Sequence, residues 1–440
     1  MKTIQSFIIL FCLFAFFMAG CSLEAPTEKR SILDIGDADF SRYVALGDDI
    51  TAGFQSSALT AIHQEYSYPQ LIAQQTNVQT FIQPLLGYPG IGLYTEEDMA
   101  GIQELVSLSG PTIEPVSYSN YPNFNPLNPY ISDEIRLYGA PYNNLGVPLA
   151  FVYDIMNAIS ANMCYTGVFA QTPNDFFTIV LRNPGFGNTT PYQQAKMLQP
   201  TFVTTWIGKN DVFIYAAYGG TSPTTPLNLF SLLYSGMMDS LASLGAQLVV
   251  ANIPDVTAFP LFTTIPHVVD VPGVGSNIPL IIQTGSGVRQ ATANDRIILT
   301  AIDVIGDVSG DYGPAGVPVG LNENAPLPSA FVLDQDEVSV AKQAVSDYNG
   351  VIANTASSHQ IPVVNMYEFY NNLISNGYTA GGLDFSTDFI SGGIFSLDGA
   401  HPTDVGQALI ANEFIKVIND EFNAQIPWVN IVEIADQTSY

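Results

Sequence analysis

The sequence predicts an α/β protein built on a mostly parallel sheet with helices on both faces. Three observations carry this. Short apolar runs that read as buried strands recur along the chain. Stretches with helical i, i+3, i+4 spacing stand between them. The residues able to do chemistry follow the strand ends, where ligands of such sheets bind.

Tyr43-Val44-Ala45-Leu46-Gly47 is the first strand, apolar until its closing glycine turn. A helical stretch is expected after that turn, and Tyr68-Pro69 opens a second helix reaching Gln75. Phe202 to Gly208 reads as the next strand. The helix around 226–244 aligns Phe230, Leu233, Met237, Leu241 and Leu244 on one face, with Gly245 placed to cap its C-terminus. Leu248 to Ile253 is a strand stopped by Pro254. A helix over about 336–356 shows Val338, Ala341, Val345, Tyr348 and Ile352 on one face. Ile361 to Met366 is the following strand. The last helix starts after Pro402, with Thr403 as its N-cap and Val405, Ala408 and Leu409 facing inward. Residues 78–140 and 262–330 are rich in Pro and Gly, lack a sustained period, and read as two long insertions. The domain so delimited covers 41–425, and 426–440 forms a C-terminal tail.

The charge is lopsided: 12 Lys and Arg against 40 Asp and Glu, a formal net charge of -28. Such a chain repels nucleic acid, which is excluded as a partner. The N-terminus reads as a targeting segment. Lys2 precedes an apolar run from Phe7 to Met18, too short for a good membrane span, which ends in Met18-Ala19-Gly20-Cys21. Small residues before a cysteine resemble the cleavage box of bacterial lipoproteins. That resemblance implies a signal peptide over 1–20, lipid on Cys21, a tether over 21–40, and a cell-envelope location at the outer membrane or cell surface. Cys12 leaves with the signal, so Cys164 has no partner for an internal disulfide and reads as a small buried hydrophobe. No cofactor motif, zinc signature or sign of an obligate protein partner is present. His63, His267 and His359 lack ligand spacing and read as surface or satisfied histidines.

Three segments at strand ends or helix starts carry chemistry. They are Gly47-Asp48-Asp49-Ile50, Gly208-Lys209-Asn210-Asp211 and Asp398-Gly399-Ala400-His401. The His401 imidazole titrates near neutrality (about 6.5 when free) and can move a proton. Asp398, three residues earlier, can accept its other N–H and fix the tautomer. The Asn210 amide can donate to a developing oxyanion. In order and position these segments resemble the SGNH, or GDSL, hydrolase family of esterases and lipases, over about 42–420. Asn144-Leu145-Gly146-Val147-Pro148 resembles the family's second block.

The resemblance implies a three-layer, flavodoxin-like fold and ester hydrolysis at a site built from Asp49, Asn210, Asp398 and His401. Gly208, in the second of these segments, is implied as an oxyanion or binding residue together with Leu149. The family's backbone oxyanion donors map to Asp49 and to Leu149, the latter at a glycine position. The implied substrate is a small-molecule, lipid or glycan ester, and no cofactor is implied. The family's nucleophile is a serine, and its position here holds Asp49. Three readings therefore stand: an ester hydrolase with weak or altered activity, an inactive member that binds ligands in the old cleft, and an Asp-nucleophile hydrolase acting on alkyl carbon. Thr51 is read as bonding the backbone at the helix start.

Overall fold

The computed structural model describes residues 33–87, 90–92, 133–271 and 275–438. The signal segment, Cys21, most of the tether and most of the first insertion lie outside the described residues. The principal elements are β1 (Tyr43–Gly47), α1 (Asp49–Ala52), α2 (Tyr68–Gln75), β2 (Asn144–Gly146), α3 (Val152–Asn157), β3 (Phe202–Trp206), α4 (Asn210–Ala217), α5 (Leu227–Ala242), β4 (Gln247–Ala251), α6 (Gln335–Ser358), β5 (Val363–Val364), α7 (Met366–Asn376), α8 (Asp404–Glu421) and α9 (Ile431–Gln437).

The five strands form one parallel sheet in the order β5-β4-β3-β1-β2. Their apolar runs are continuous because both faces are covered: every residue of β1 and β3 is buried. The chain leaves β1 for its neighbour on one side, β2, and returns on the other side as β3. That reversal creates the switch point at which ligands of such sheets bind. The register sharpens it. Gly47 pairs with Gly146 on one side and Trp206 on the other. Three strands thus end level, and the loops after them share one rim.

The helices flank the sheet in two groups. α5 packs against α3 and α6, where Phe230 stacks on Tyr348 with centroids 4.0 Å apart. α8 packs against α2, where Tyr68 stacks on Phe414 at 4.6 Å. Helix starts follow the capping rules. The Asp334 side chain accepts from Asp336 and Glu337 N–H, and Glu337 returns to the Asp334 N–H. Thr403 accepts from Gly406 N–H, as its N-cap position predicts.

Four readings of the sequence change. Gly245 is not the cap of α5; Ser243 is, and Gly245 (φ +71°) turns the chain toward β4. The second insertion is not irregular. It holds two antiparallel hairpins, Val268–Val271 with Gly275–Pro279 and Ile281–Thr284 with Gly287–Gln290. Their strands are too short to show a period. Residues 426–438 are no loose tail: Ile426, Val429, Ile431 and Ile434 are buried, and Asn412 and Asn419 of α8 bond the backbone of Val429 and Ile426. At the other boundary, Phe40 stacks on Phe202 at 4.2 Å, so the fold begins before residue 41. Cys164 is buried, as a small hydrophobe should be.

Candidate active site

Each site residue is delivered by a local turn. After β1, Gly47 needs no side chain, since a Cβ would meet the Trp206 carbonyl at 2.4 Å. Asp48 caps α1 by accepting from Ile50 N–H at 3.1 Å, which puts Asp49 on the first helical residue. After β3, Asn210 opens α4. Before α8, a tight turn folds on the Asp398 carboxylate, whose Oδ1 accepts the N–H groups of Ala400 and His401, each at 2.9 Å. Gly399 (φ +68°) makes that turn possible; a Cβ there would meet the Leu261 nitrogen at 2.8 Å.

The three turns converge on Asp49. His401 Nε2 lies 2.6 Å from Asp49 Oδ2, while its Nδ1 lies 2.9 Å from Asp398 Oδ2. The Asn210 amide donates to Asp49 Oδ1 at 2.8 Å and to the Ala150 carbonyl at 3.1 Å. Lys209 Nζ donates to Asp49 Oδ2. All these side chains are buried, Lys209 completely so. The four residues expected to be catalytic therefore meet in one buried cluster, at the rim where β1 and β3 end.

Leu149 sits beside them, one residue before Ala150, in the left-handed region (φ +59°). A non-glycine residue there carries strain of about 1–2 kcal/mol. Among the described residues the N–H groups of Asp49 and Leu149 donate to no acceptor. Gly208 follows β3 in the left-handed half of backbone space. Its φ of +112° and the Phe230 ring, 3.2 Å from where a Cβ would stand, are what require a glycine at the turn after β3. Thr51 differs from expectation. Its hydroxyl lies 3.1 Å from that of Tyr68 instead of bonding the helix backbone. His63 pairs with Asp404 and His359 with Asp239, both satisfied.

Three members of the site escape sequence reasoning. Lys209, one of only 12 cations in the chain, supplies a buried countercharge to Asp49 and stands 4.6 Å from the Phe213 ring. Its signal was a lysine placed directly after an apolar strand. Phe54 presents its ring to His401 at a centroid distance of 5.0 Å. Ser57, also missed as a contact, gives its backbone N–H to Asp398 Oδ2 at 2.7 Å.

The electrostatics follow from this packing. Burial works against charge on every group, yet the partners outweigh it. Lys209 and His401 hold the Asp49 carboxyl far below the usual range despite that burial. Asp398, likewise opposed by burial, is drawn down to about 2 by the imidazole and the backbone N–H groups. Burial lowers the His401 pKa, but Asp398 first and Asp49 second push it up to about 9. Asp48 behaves oppositely. Burial and the neighbouring Asp49 charge raise its carboxyl well above the ordinary value. At neutral pH two carboxylates, Asp49 and Asp398, face two cations, Lys209 and His401. An imidazole that already holds its second proton cannot take one from a nucleophile. Among the described residues no cluster of His, Cys, Asp and Glu could hold a metal ion.

A family model described as GDSL-like lipase/acylhydrolase matches residues 43–414. The chain belongs to this family. Solved structures similar to this GDSL-family chain include three with low identity. An alpha/beta hydrolase enzyme from the metagenome of Lake Arreo, Spain, is 11% identical (87% of this chain, 96% of that one, TM-score 0.36). A putative lipolytic protein of the G-D-S-L family from Desulfitobacterium hafniense is 11% identical (86% and 99%, TM-score 0.32). The lipase/acylhydrolase from Enterococcus faecalis is 10% identical (88% and 98%, TM-score 0.31). No curated protein matches the chain by sequence.

Proposed function

We propose that this GDSL-family chain is directed to acyl esters of lipids or glycans, that Asp49 stands where the nucleophilic serine would be, and that native ester hydrolysis is slow. One observation carries the reading: the Asp49 carboxylate takes the donors that an acyl transfer would use. Its Oδ1 occupies the Asn210 amide, and its Oδ2 occupies His401 and Lys209. The serine step is absent, the side-chain oxyanion donor is engaged, and the base is protonated. Loss of a triad nucleophile leaves only about 10³–10⁴-fold catalysis over water in well-studied hydrolases. What remains is attack by water, helped by the small fraction of neutral His401.

A second reading, a pure ligand-binding module, draws on the closed charge balance of two carboxylates and two cations. An Asp49 nucleophile acting on alkyl carbon is supported least, because both carboxylate oxygens already accept hydrogen bonds. We further propose that lipid on Cys21 holds the protein in the bacterial envelope, on the strength of the Met18-Ala19-Gly20-Cys21 box. Metabolic labelling with a palmitate analogue tests this; label that persists in Cys21→Ser refutes it.

The activity test uses the full chain with p-nitrophenyl acetate and butyrate. Native turnover is expected to be weak and to vanish in His401→Ala. The paired variant Asp49→Ser with Lys209→Met restores the hydroxyl and removes the unpaired cation together, and is expected to gain at least about tenfold in kcat/KM. Turnover that survives His401→Ala would remove the hydrolytic role of this cluster. A silent native chain whose paired variant turns over favours the binding module.

A further inference from the structure

The sheet has a second pole. Its strands are parallel, so the N-terminal ends of β1, β3 and β4 lie together, roughly 16 Å from the rim that carries Asp49. The Thr201 N–H donates to the Arg42 carbonyl and the Gln247 N–H to the Thr201 carbonyl, each at 2.9 Å, which keeps these ends level. A cavity of about 590 Å³ opens at this pole. Asp39, Arg42, Lys196 and Thr201 line it, with Pro200 and Leu244 among its apolar members.

Its two cations are unpaired. Arg42 and Lys196 belong to only 12 cations in a chain of net charge -28. Lys209, Arg289, Lys342 and Lys416 each pair with a carboxylate, yet among the described residues Arg42 and Lys196 do not. The Arg42 guanidinium is nevertheless held in place. Its Nε donates to the Gln199 carbonyl, and its backbone N–H donates to Thr201 Oγ1 at 2.9 Å. Its two terminal nitrogens, the planar fork that suits a phosphate, meet no acceptor among the described residues. Asp39 is the one carboxylate among the described residues of the lining, and its Oδ1 accepts the Ser41 N–H at 2.9 Å.

We propose that this cavity binds a phosphate diester carrying a primary ammonium, the headgroup of phosphatidylethanolamine, and that the pole opposite Asp49 thereby rests on the bilayer. Arg42 and Lys196 take the phosphate oxygens, and Asp39 takes the ammonium. The charge of the whole chain opposes a net anionic ligand but not a headgroup of zero net charge. Soluble phosphate esters share this chemistry. The bilayer is favoured because the chain enters the fold at this pole: Asp39 and Arg42 stand just before β1, and Cys21 lies 18 residues upstream of Asp39. The bilayer source rests on the Cys21 reading above, whereas the affinity of the cavity for the headgroup does not.

The test places the full chain in nanodiscs of digalactosyl diacylglycerol, a lipid without phosphate, with or without phosphatidylethanolamine. Phenylglyoxal, which attacks guanidinium groups, is applied, and its adducts at Arg42 are followed by mass spectrometry, with Arg289 outside the cavity as reference. Phosphatidylethanolamine is expected to slow modification of Arg42 about tenfold relative to Arg289, and soluble glycerophosphoethanolamine at some ten times its Kd should do the same in the phosphate-free disc. Lys196→Gln and Asp39→Asn should each remove most of both protections, with an unfolding midpoint that shows the variant folds. Protection by the soluble ester alone, in a chain that co-purifies with the disc, would overturn the bilayer source and assign the cavity to a free ester. A chain that never enters the disc refutes the Cys21 anchor instead, and the soluble arm still decides the cavity. Equal reactivity of Arg42 in every arm, or protection indifferent to both variants, overturns the site.

Discussion

Asp49 at the sheet rim and Asp295 in the second insertion are both enclosed carboxylates held by cations, yet their surroundings differ. Asp295 receives a two-pronged contact from Arg289, at 2.7 Å on each oxygen, plus the backbone N–H groups of Thr292 and Gln335. Its cation is 37% exposed and can exchange the carboxylate for water. Asp49 is held by Lys209, which is 0% exposed, and by the imidazolium of His401. Lys209 has no water to turn to. The insertion pair is therefore a replaceable clasp, whereas the rim network stands or falls as a unit. Taking two ions out of water costs several kcal/mol each, and only mutual attraction offsets it.

One denaturation series breaks the comparison open. Asp49→Ala or Lys209→Met alone leaves a buried charge uncompensated, with an expected loss of about 3–5 kcal/mol. The paired Asp49→Ser, Lys209→Met variant should recover most of that loss. Arg289→Ala leaves Asp295 with its backbone donors and should cost only about 1 kcal/mol after solvent screening. Equal losses for Lys209→Met and Arg289→Ala would erase the distinction between the regions.

Stability against pH sharpens it with a smaller effect. The raised His401 pKa contributes stability that is complete below about 6.5 and is lost as pH rises through about 9. The lowered carboxyls work on the other side. Asp398 and Asp295, each near 2, contribute above about 4 and lose their contribution as pH falls toward 2. The alkaline loss thus belongs to the rim network and not to the insertion clasp. Asp154 and Asp211, pushed up to about 7 by burial, add an earlier decline as pH rises from about 4 through 7. Unfolding free energies over pH 5–10, with the His401 ring followed by NMR, should show both declines and a ring midpoint well above 7. A ring that titrates near 6.5 would refute the paired imidazolium.

Much of the sheet is legible in the sequence because its strands are apolar on both faces: Tyr43–Gly47 needs no correction, and Phe202–Trp206 ends two residues earlier than read. The long helices are legible for a different reason, apolar residues at i, i+3, i+4 on one face, and Thr403 announces the start of α8. β2 escapes as a strand because three residues carry no period. The hairpins of the second insertion escape similarly, and α9 was hidden because its burial depends on a distant helix. At the site, the blocks around Asp49, Asn210, Asp398 and His401 were readable from residue type and order.

By itself the sequence determined the parallel sheet and the positions of the strand-end loops, because local periodicity travels with the chain, while the four converging side chains were named through the resemblance of their blocks to a known family. Only the tertiary structure decided that Lys209 turns inward onto Asp49, that His401 lies between two carboxylates, and that the Asn210 amide bridges Asp49 and the Ala150 carbonyl. Those facts depend on which distant groups share a buried space, and charge behaviour in such a space is set by neighbours far apart in sequence.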